Sequence, residues 1–205
     1  MTTTTVQPAN QGRRINTLRI VMFMLLPLVL FTRPGLPLYG GAIDTIESIG
    51  MLLVIGGVLG RFWSILYIGS RKNLMVMQDG PYSICRHPLY LFSTLSVFGF
   101  GLMLGSLVLT VCMTGLVFYV LNNIASKEEM FLRAEFGDAY ATYAARTPRI
   151  LPKFGQFSSP DKVTFDILTL RRNFFDALVF LSLLPIGELS EHFKGTGALP
   201  TFPLW

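Results

Sequence analysis

Apolar residues come in long blocks along this chain rather than alternating with polar ones, the pattern of a protein whose solvent is lipid. The longest block, Pro88 to Ser126, contains no Asp, Glu, Lys, Arg or His. At about 1.5 Å per residue it would make roughly 60 Å of helix, close to twice the hydrocarbon thickness of a bilayer. One span cannot use that length. The block is therefore expected to fold back as a hairpin, turning near Gly101-Leu102-Met103-Leu104-Gly105-Ser106. Two earlier blocks reach spanning length only if their arginines snorkel: Ile20 to Thr32, between Arg19 and Arg33, and the run after Glu47, interrupted by Arg61. The cluster Gly56-Gly57-Val58-Leu59-Gly60 fits close helix packing in lipid. A fifth block, Phe174 to Gly187, contains Pro185 and either spans or lies in the interface. The pattern predicts an all-α integral membrane helical bundle of four to five transmembrane helices.

Composition agrees. Of 205 residues, 51% are hydrophobic and 14% charged, whereas a soluble domain carries about a quarter charged residues. With five spans, every Lys and Arg except Arg33 and Lys194 falls on one side. That asymmetry places the polar loops in the cytoplasm, with the chain in a cell inner membrane. It also accounts for the net charge of +5 without nucleic acid, which would need a basic face with stacking aromatics outside the membrane. Met1 to Gln11 is Thr-rich and lacks a signal peptide's order of basic, apolar and small residues, so the first apolar helix is expected to be retained. Two His and two scattered Cys, Cys85 and Cys112, give no metal-ligand spacing and no expected disulfide.

Two polar segments flank the hairpin, both on the cytoplasmic side. In the first, Arg71 to Tyr90, Asp79-Gly80-Pro81 is a turn signal. The His87-Pro88 step favours an extended residue before a helix with Pro in its first turn. His87 is thereby placed at a helix N-terminus, where backbone N–H groups favour anions. The second runs from Ser126 to Tyr143. Ser126 with Glu129 three residues on reads as a capping box opening a new helix, which accounts for Glu129 without any functional role. Leu132, Phe136, Tyr140 and Tyr143 form an apolar stripe that reads as packing, and Pro148 and Pro152 end the helix. Arg86 reads equally as a head-group anchor or as a functional residue.

Gly80-Pro81-Tyr82 followed by Arg86-His87-Pro88-Leu89-Tyr90, then Glu128-Glu129, Phe136-Gly137, Tyr140, Tyr143 and Pro148 to Pro152, resembles the isoprenylcysteine carboxyl methyltransferase superfamily, which includes membrane phospholipid N-methyltransferases. The resemblance covers roughly Arg71 to Pro152. It implies an S-adenosylmethionine cofactor held by Leu74, Met75, Val76, Met77, Tyr82, His87, Pro88, Leu89, Tyr90 and Glu128. Such residues suit that cofactor, since a carboxylate matches its amino group and a helix start its carboxylate. The family's prenylcysteine enzymes place an Arg four residues before the first Glu, to meet the acceptor carboxylate; here that position is Ile124. The acceptor is therefore expected to be a lipid head group or another isoprenoid-type small molecule entering from the bilayer, with Arg146 or Arg149 as candidate substrate-binding cations.

The expected organisation is a polar tail over residues 1–15, two transmembrane helices over 16–70, a methyltransferase core over 71–153 and a C-terminal extension with a short apolar helix over 154–205. No metal, nucleic acid or obligate protein partner is expected, and no general base is assigned. Two rival readings are an NADPH-dependent membrane reductase of the sterol reductase type, whose motif is similar, and a non-catalytic membrane scaffold.

Overall fold

A computed structural model describes residues 27, 31–34, 41–69, 74–196 and 202–204. The proposed first span, Ile20 to Thr32, lies almost wholly outside the described residues, as does Arg71 to Asn73. Four long helices make up the rest: α1 (Gly41–Ile68), α3 (Pro88–Met103), α4 (Leu107–Arg146) and α5 (Ile167–Gly195). A single helical turn, α2 (Pro81–Ile84), precedes α3, and a 3-10 turn, Phe154–Gln156, follows α4. The all-α expectation needs one amendment. Thr32–Pro34 (β1) pairs in parallel with Phe202–Leu204 (β2), Arg33 opposite Pro203. Prolines in both three-residue strands hid them from pattern reading.

The hairpin forms where the apolar block predicts it. α3 ends at Met103, Gly105 adopts φ +64°, and Ser106 caps α4 by accepting the Leu109 N–H at 3.3 Å. Val54 of α1, Val97 and Phe100 of α3, and Leu109, Met113, Val117 and Leu121 of α4 form the buried core. α1 and α3 approach through glycine, since a Cβ on Gly99 would lie 2.5 Å from the Gly50 carbonyl oxygen and one on Gly57 2.7 Å from that of Phe92. Such contacts let backbones meet where lipid supplies no hydrophobic drive between helices. α1 and α4 are each long and apolar enough to cross a membrane, and α3 is a shorter apolar helix.

Two expectations are corrected. Ser126 opens no helix, because α4 runs unbroken through it. Its hydroxyl donates to the Asn122 carbonyl, 3.1 Å away, and accepts from Arg149. The 40 residues of α4 form two helical stretches, the first running from Leu107 to Phe136. α4 bends at Gly137, whose φ of +48° and ψ of −121° suit only glycine. The second correction concerns the C-terminal block, which is not short. α5 has 29 residues and includes Pro185. Asp166 caps it by accepting the Thr169 N–H at 2.8 Å. Phe174 meets Phe62 of α1, and Gly187 lies against Phe100 and Met103 of α3. α5 therefore runs antiparallel to α1.

Candidate active site

The segment between α1 and α3 is shaped by a glycine and two prolines. Gly80 takes φ +58°, and a Cβ there would fall 2.4 Å from the Tyr67 ring. Pro81 starts the α2 turn and Pro88 starts α3. Between them Cys85 is extended, so the backbone of residues 84–87 is free to pair with another segment. That segment is the one following α4. Arg86 N–H donates to the Pro148 carbonyl (2.9 Å), His87 N–H to that of Arg149 (3.1 Å), and Lys153 N–H to that of Ile84 (2.9 Å). The Tyr143 hydroxyl adds a bond to the Tyr82 carbonyl at 2.8 Å. Two polar segments about sixty residues apart in sequence thus form one cap at the start of α3.

Inside this cap two adjacent glutamates of α4 have different surroundings. Glu129 Oε1 is hydrogen-bonded to His87 Nε2 at 3.0 Å and forms ion pairs with Arg86 Nη1 at 3.1 Å and Arg149 Nε at 3.2 Å. Its side chain is 13% exposed. Burial alone would raise its pKa, but the His87 hydrogen bond and the Arg86 and Arg149 charges prevail and lower it. Glu128 instead accepts the Tyr90 hydroxyl at 2.7 Å and lies 3.9 Å from His87 Nδ1. The His87 ring stacks on Tyr90, with centroids 5.3 Å apart and planes 7° from parallel. Glu129 is a structural hub, and the capping role expected for it is not what it performs.

Glu128 faces a cavity of about 70 Å³, open on one side. Of the residues expected there, Met75, Val76, Met77, Tyr82, His87, Leu89, Tyr90 and Glu128 line it together. Leu74 is 75% exposed, and Pro88 is buried at the start of α3 outside the lining. Arg146 donates to Gln78 and borders a separate polar cavity with Asp79 and Gln156. Arg149 is turned to Glu129, Ser126 and the Asn122 carbonyl. Neither candidate substrate cation lines the first cavity. Leu132, Tyr140 and Tyr143, assigned to packing in the sequence, do line it, as do Arg86 and Ile68. Their helical spacing was the available signal, since one stripe serves packing and cavity alike.

The cavity is chemically mixed. Its walls are apolar at Ile68, Leu89 and Leu132, while the Tyr82 and Tyr140 hydroxyls are buried, that of Tyr82 with no hydrogen-bond partner and that of Tyr140 beside Arg86. Burial pushes both phenols above their ordinary pKa, so each remains a donor. Burial likewise pushes the Cys85 thiol up to about 12, which makes it a packing residue rather than a nucleophile. A group with a hydrogen-bond acceptor, a cationic or ammonium end for Glu128 and an apolar flank fits this donor set.

Residues 45–139 match the family model described as phospholipid methyltransferase. Over 188 residues the chain is 32% identical to the cobalt-zinc-cadmium resistance protein CzcN of Cupriavidus metallidurans, covering 91% of this chain and 85% of that protein. The chain belongs to the phospholipid methyltransferase family. The resemblance read from the Arg86–Tyr90 and Glu128-Glu129 motifs holds, since this is a family of membrane-type methyltransferases akin to the isoprenylcysteine enzymes. The nickel-cobalt-cadmium resistance protein NccN of Alcaligenes xylosoxydans xylosoxydans is 32% identical over 157 residues, 77% of this phospholipid methyltransferase family member and 73% of NccN. A protein-S-isoprenylcysteine O-methyltransferase of Schizosaccharomyces pombe is 28% identical over 94 residues, 45% of this chain and 40% of that enzyme. The two resistance names describe a phenotype of those proteins rather than a chemistry. No solved structure matches.

Proposed function

We propose that this family member transfers a methyl group from S-adenosylmethionine to a lipophilic acceptor carrying an N–H or O–H nucleophile. The observation that carries the reading is one cavity that gathers Met75–Met77, Tyr82, His87 and Tyr90 from one side of the hairpin and Glu128 from the other. When bound, the cofactor supplies an electrophilic methyl carbon on a cationic sulfur. Glu128 is suited to its ammonium end, and the unpartnered hydroxyl of Tyr82 to its acceptor atoms. Met75, Val76 and Met77 would suit its adenine end. The chain's main contribution is alignment, because direct displacement needs nucleophile and methyl carbon in line more than it needs a strong acid.

The acceptor class follows from charges that are elsewhere. Ile124 is packed against the apolar core, where it cannot neutralise an anion. Arg86, which lines the cavity, and Arg149 are both paired with Glu129, and Arg146 sits on the second cavity. An acceptor carboxylate would therefore be buried without a cation at the family's usual position. Apolar walls at Ile68, Leu89 and Leu132 suit an acceptor that arrives from the bilayer. The Lys/Arg asymmetry supports a cytoplasmic cap in an inner membrane. The test is to incubate purified protein with methyl-labelled adenosylmethionine and either total membrane lipid extract or a farnesylcysteine analogue. Label in the lipid fraction is expected. Saturable methylation of the farnesylcysteine analogue alone would contradict the acceptor assignment.

A further inference from the structure

An N–H or O–H acceptor must lose a proton when it is methylated, and one side chain of the cavity is built to take it. Glu129 is a carboxylate whose pKa is lowered, and an ionised carboxylate can only accept hydrogen bonds. At 3.0 Å from Glu129 Oε1, His87 Nε2 must therefore carry a hydrogen. The proton that His87 can gain or lose is then the one on Nδ1. That atom is on the side of Glu128, 3.9 Å from Oε2, a separation too long for a hydrogen bond but short enough to stabilise a positive ring. His87 is 7% exposed, and its ring is held flat against Tyr90. Its backbone N–H is also fixed, donating to the Arg149 carbonyl.

Resting on the methyltransferase reading above, we propose that His87 is the proton acceptor of the reaction and Glu129 the positioning residue that fixes its tautomer. The acceptor's nitrogen or oxygen forms a bond to the methyl carbon of a sulfonium donor. The carbon–sulfur bond breaks and its electron pair returns to sulfur, which leaves as a neutral thioether. The proton lost by the acceptor passes to His87 Nδ1, and the imidazolium is held between Glu128 and Glu129. The proton then leaves to water through the open side of the cavity. The logic is that of a base oriented by a carboxylate on its far nitrogen. The charged and titratable groups around the ring are Arg86 and Tyr90 from its own segment, Glu128 and Glu129 from α4, and Arg149 from the segment after α4. The role also fits the loss of the carboxylate-binding position at Ile124. A carboxylate acceptor would arrive already deprotonated, whereas an amine or hydroxyl would not.

The experiment uses the full chain in detergent or nanodiscs, with three readouts on wild type, His87→Gln and Glu129→Gln. Calorimetry measures binding of S-adenosylhomocysteine, and labelled adenosylmethionine with lipid extract measures transfer. Nitrogen-15 histidine spectra report the tautomer, with His192→Gln used to assign the second of the two histidines. Glutamine at 87 keeps a donor for Glu129 but has no basic nitrogen. At saturating adenosylmethionine, His87→Gln is expected to lose roughly 100-fold or more in transfer rate, whatever the change in adenosylhomocysteine affinity. Wild type is expected to show hydrogen on Nε2, and Glu129→Gln a mixed tautomer. Full transfer by His87→Gln at saturating adenosylmethionine, or hydrogen on Nδ1 alone in the resting protein, would each overturn the proposal. If His87→Gln does not fold, the wild-type tautomer still decides. Failure of the wild type to bind adenosylhomocysteine would instead sink the methyltransferase reading itself.

Discussion

Two faces of the same turn of α4 meet the Gly80–Pro88 segment in contrasting ways. On one face Glu129 is enclosed by Arg86, His87 and Arg149. On the other Glu128 looks into an open cavity beside Tyr90. The contrast teaches that neighbouring acids of one motif divide the work. One holds the two polar segments together, and the other is presented to the cavity. Glu129 can do this because its partners arrive on backbone that is itself cross-bonded, Arg86 to Pro148 and His87 to Arg149.

The division breaks most visibly at Glu129. Glu129→Ala leaves Arg86 and Arg149 facing each other without their carboxylate and His87 without its hydrogen-bond partner, and removing one member of such a cluster costs about 3–5 kcal/mol. Thermal unfolding in detergent should show that loss; an unchanged midpoint would mean that the cluster is ornamental. Glu128→Ala should do the reverse. Its effect falls on adenosylhomocysteine affinity, by about 2 kcal/mol for a lost charge-assisted contact, or roughly 30-fold. Its melting midpoint should move little, and a calorimetric titration checks both halves of the claim. A smaller effect, about 1 kcal/mol, is expected for Gly137→Ala, because alanine is strained at φ +48° although nothing crowds the site. That change should lower stability without altering ligand affinity. The mildest test is acid. The Glu129 pKa is lowered by folding, so its contribution is complete above the ordinary carboxylate pKa and fades as pH falls through the lower folded value. Wild type should lose stability across that acidic window, and Glu129→Gln should lose less.

The hairpin and the turn residues were legible because each depends on local rules: an uncharged block too long for one span, Gly80 at positive φ, and Pro88 opening α3. The length of α5 was not. Arg171, Arg172 and Glu188 interrupt its apolar run, although Phe174 and Gly187 reach α1 and α3 within one helix. Ser126 and Glu129 satisfied a local capping pattern, yet α4 continued through them. What overrode the pattern was tertiary. Arg149, 23 residues on, takes the Ser126 hydroxyl, and His87, 42 residues back, takes Glu129. No window along the chain contains both ends of such contacts. Eight of the ten expected cofactor residues line one cavity because the Gly80 turn and the hairpin bring their segments together. Leu74 and Pro88 fall outside it, since adjacent positions on a bend or helix start face different directions.

The central claim is that the cavity between Met75–Met77, Tyr82, His87, Tyr90 and Glu128 takes an adenosyl cofactor. It is tested most directly by calorimetric titration of the detergent-solubilised protein with S-adenosylmethionine, S-adenosylhomocysteine and NADPH, in wild type and Glu128→Ala. The account predicts saturable binding of both adenosyl compounds, about 30-fold weaker in Glu128→Ala, and none of NADPH. Saturable NADPH binding with both adenosyl compounds ignored would contradict it.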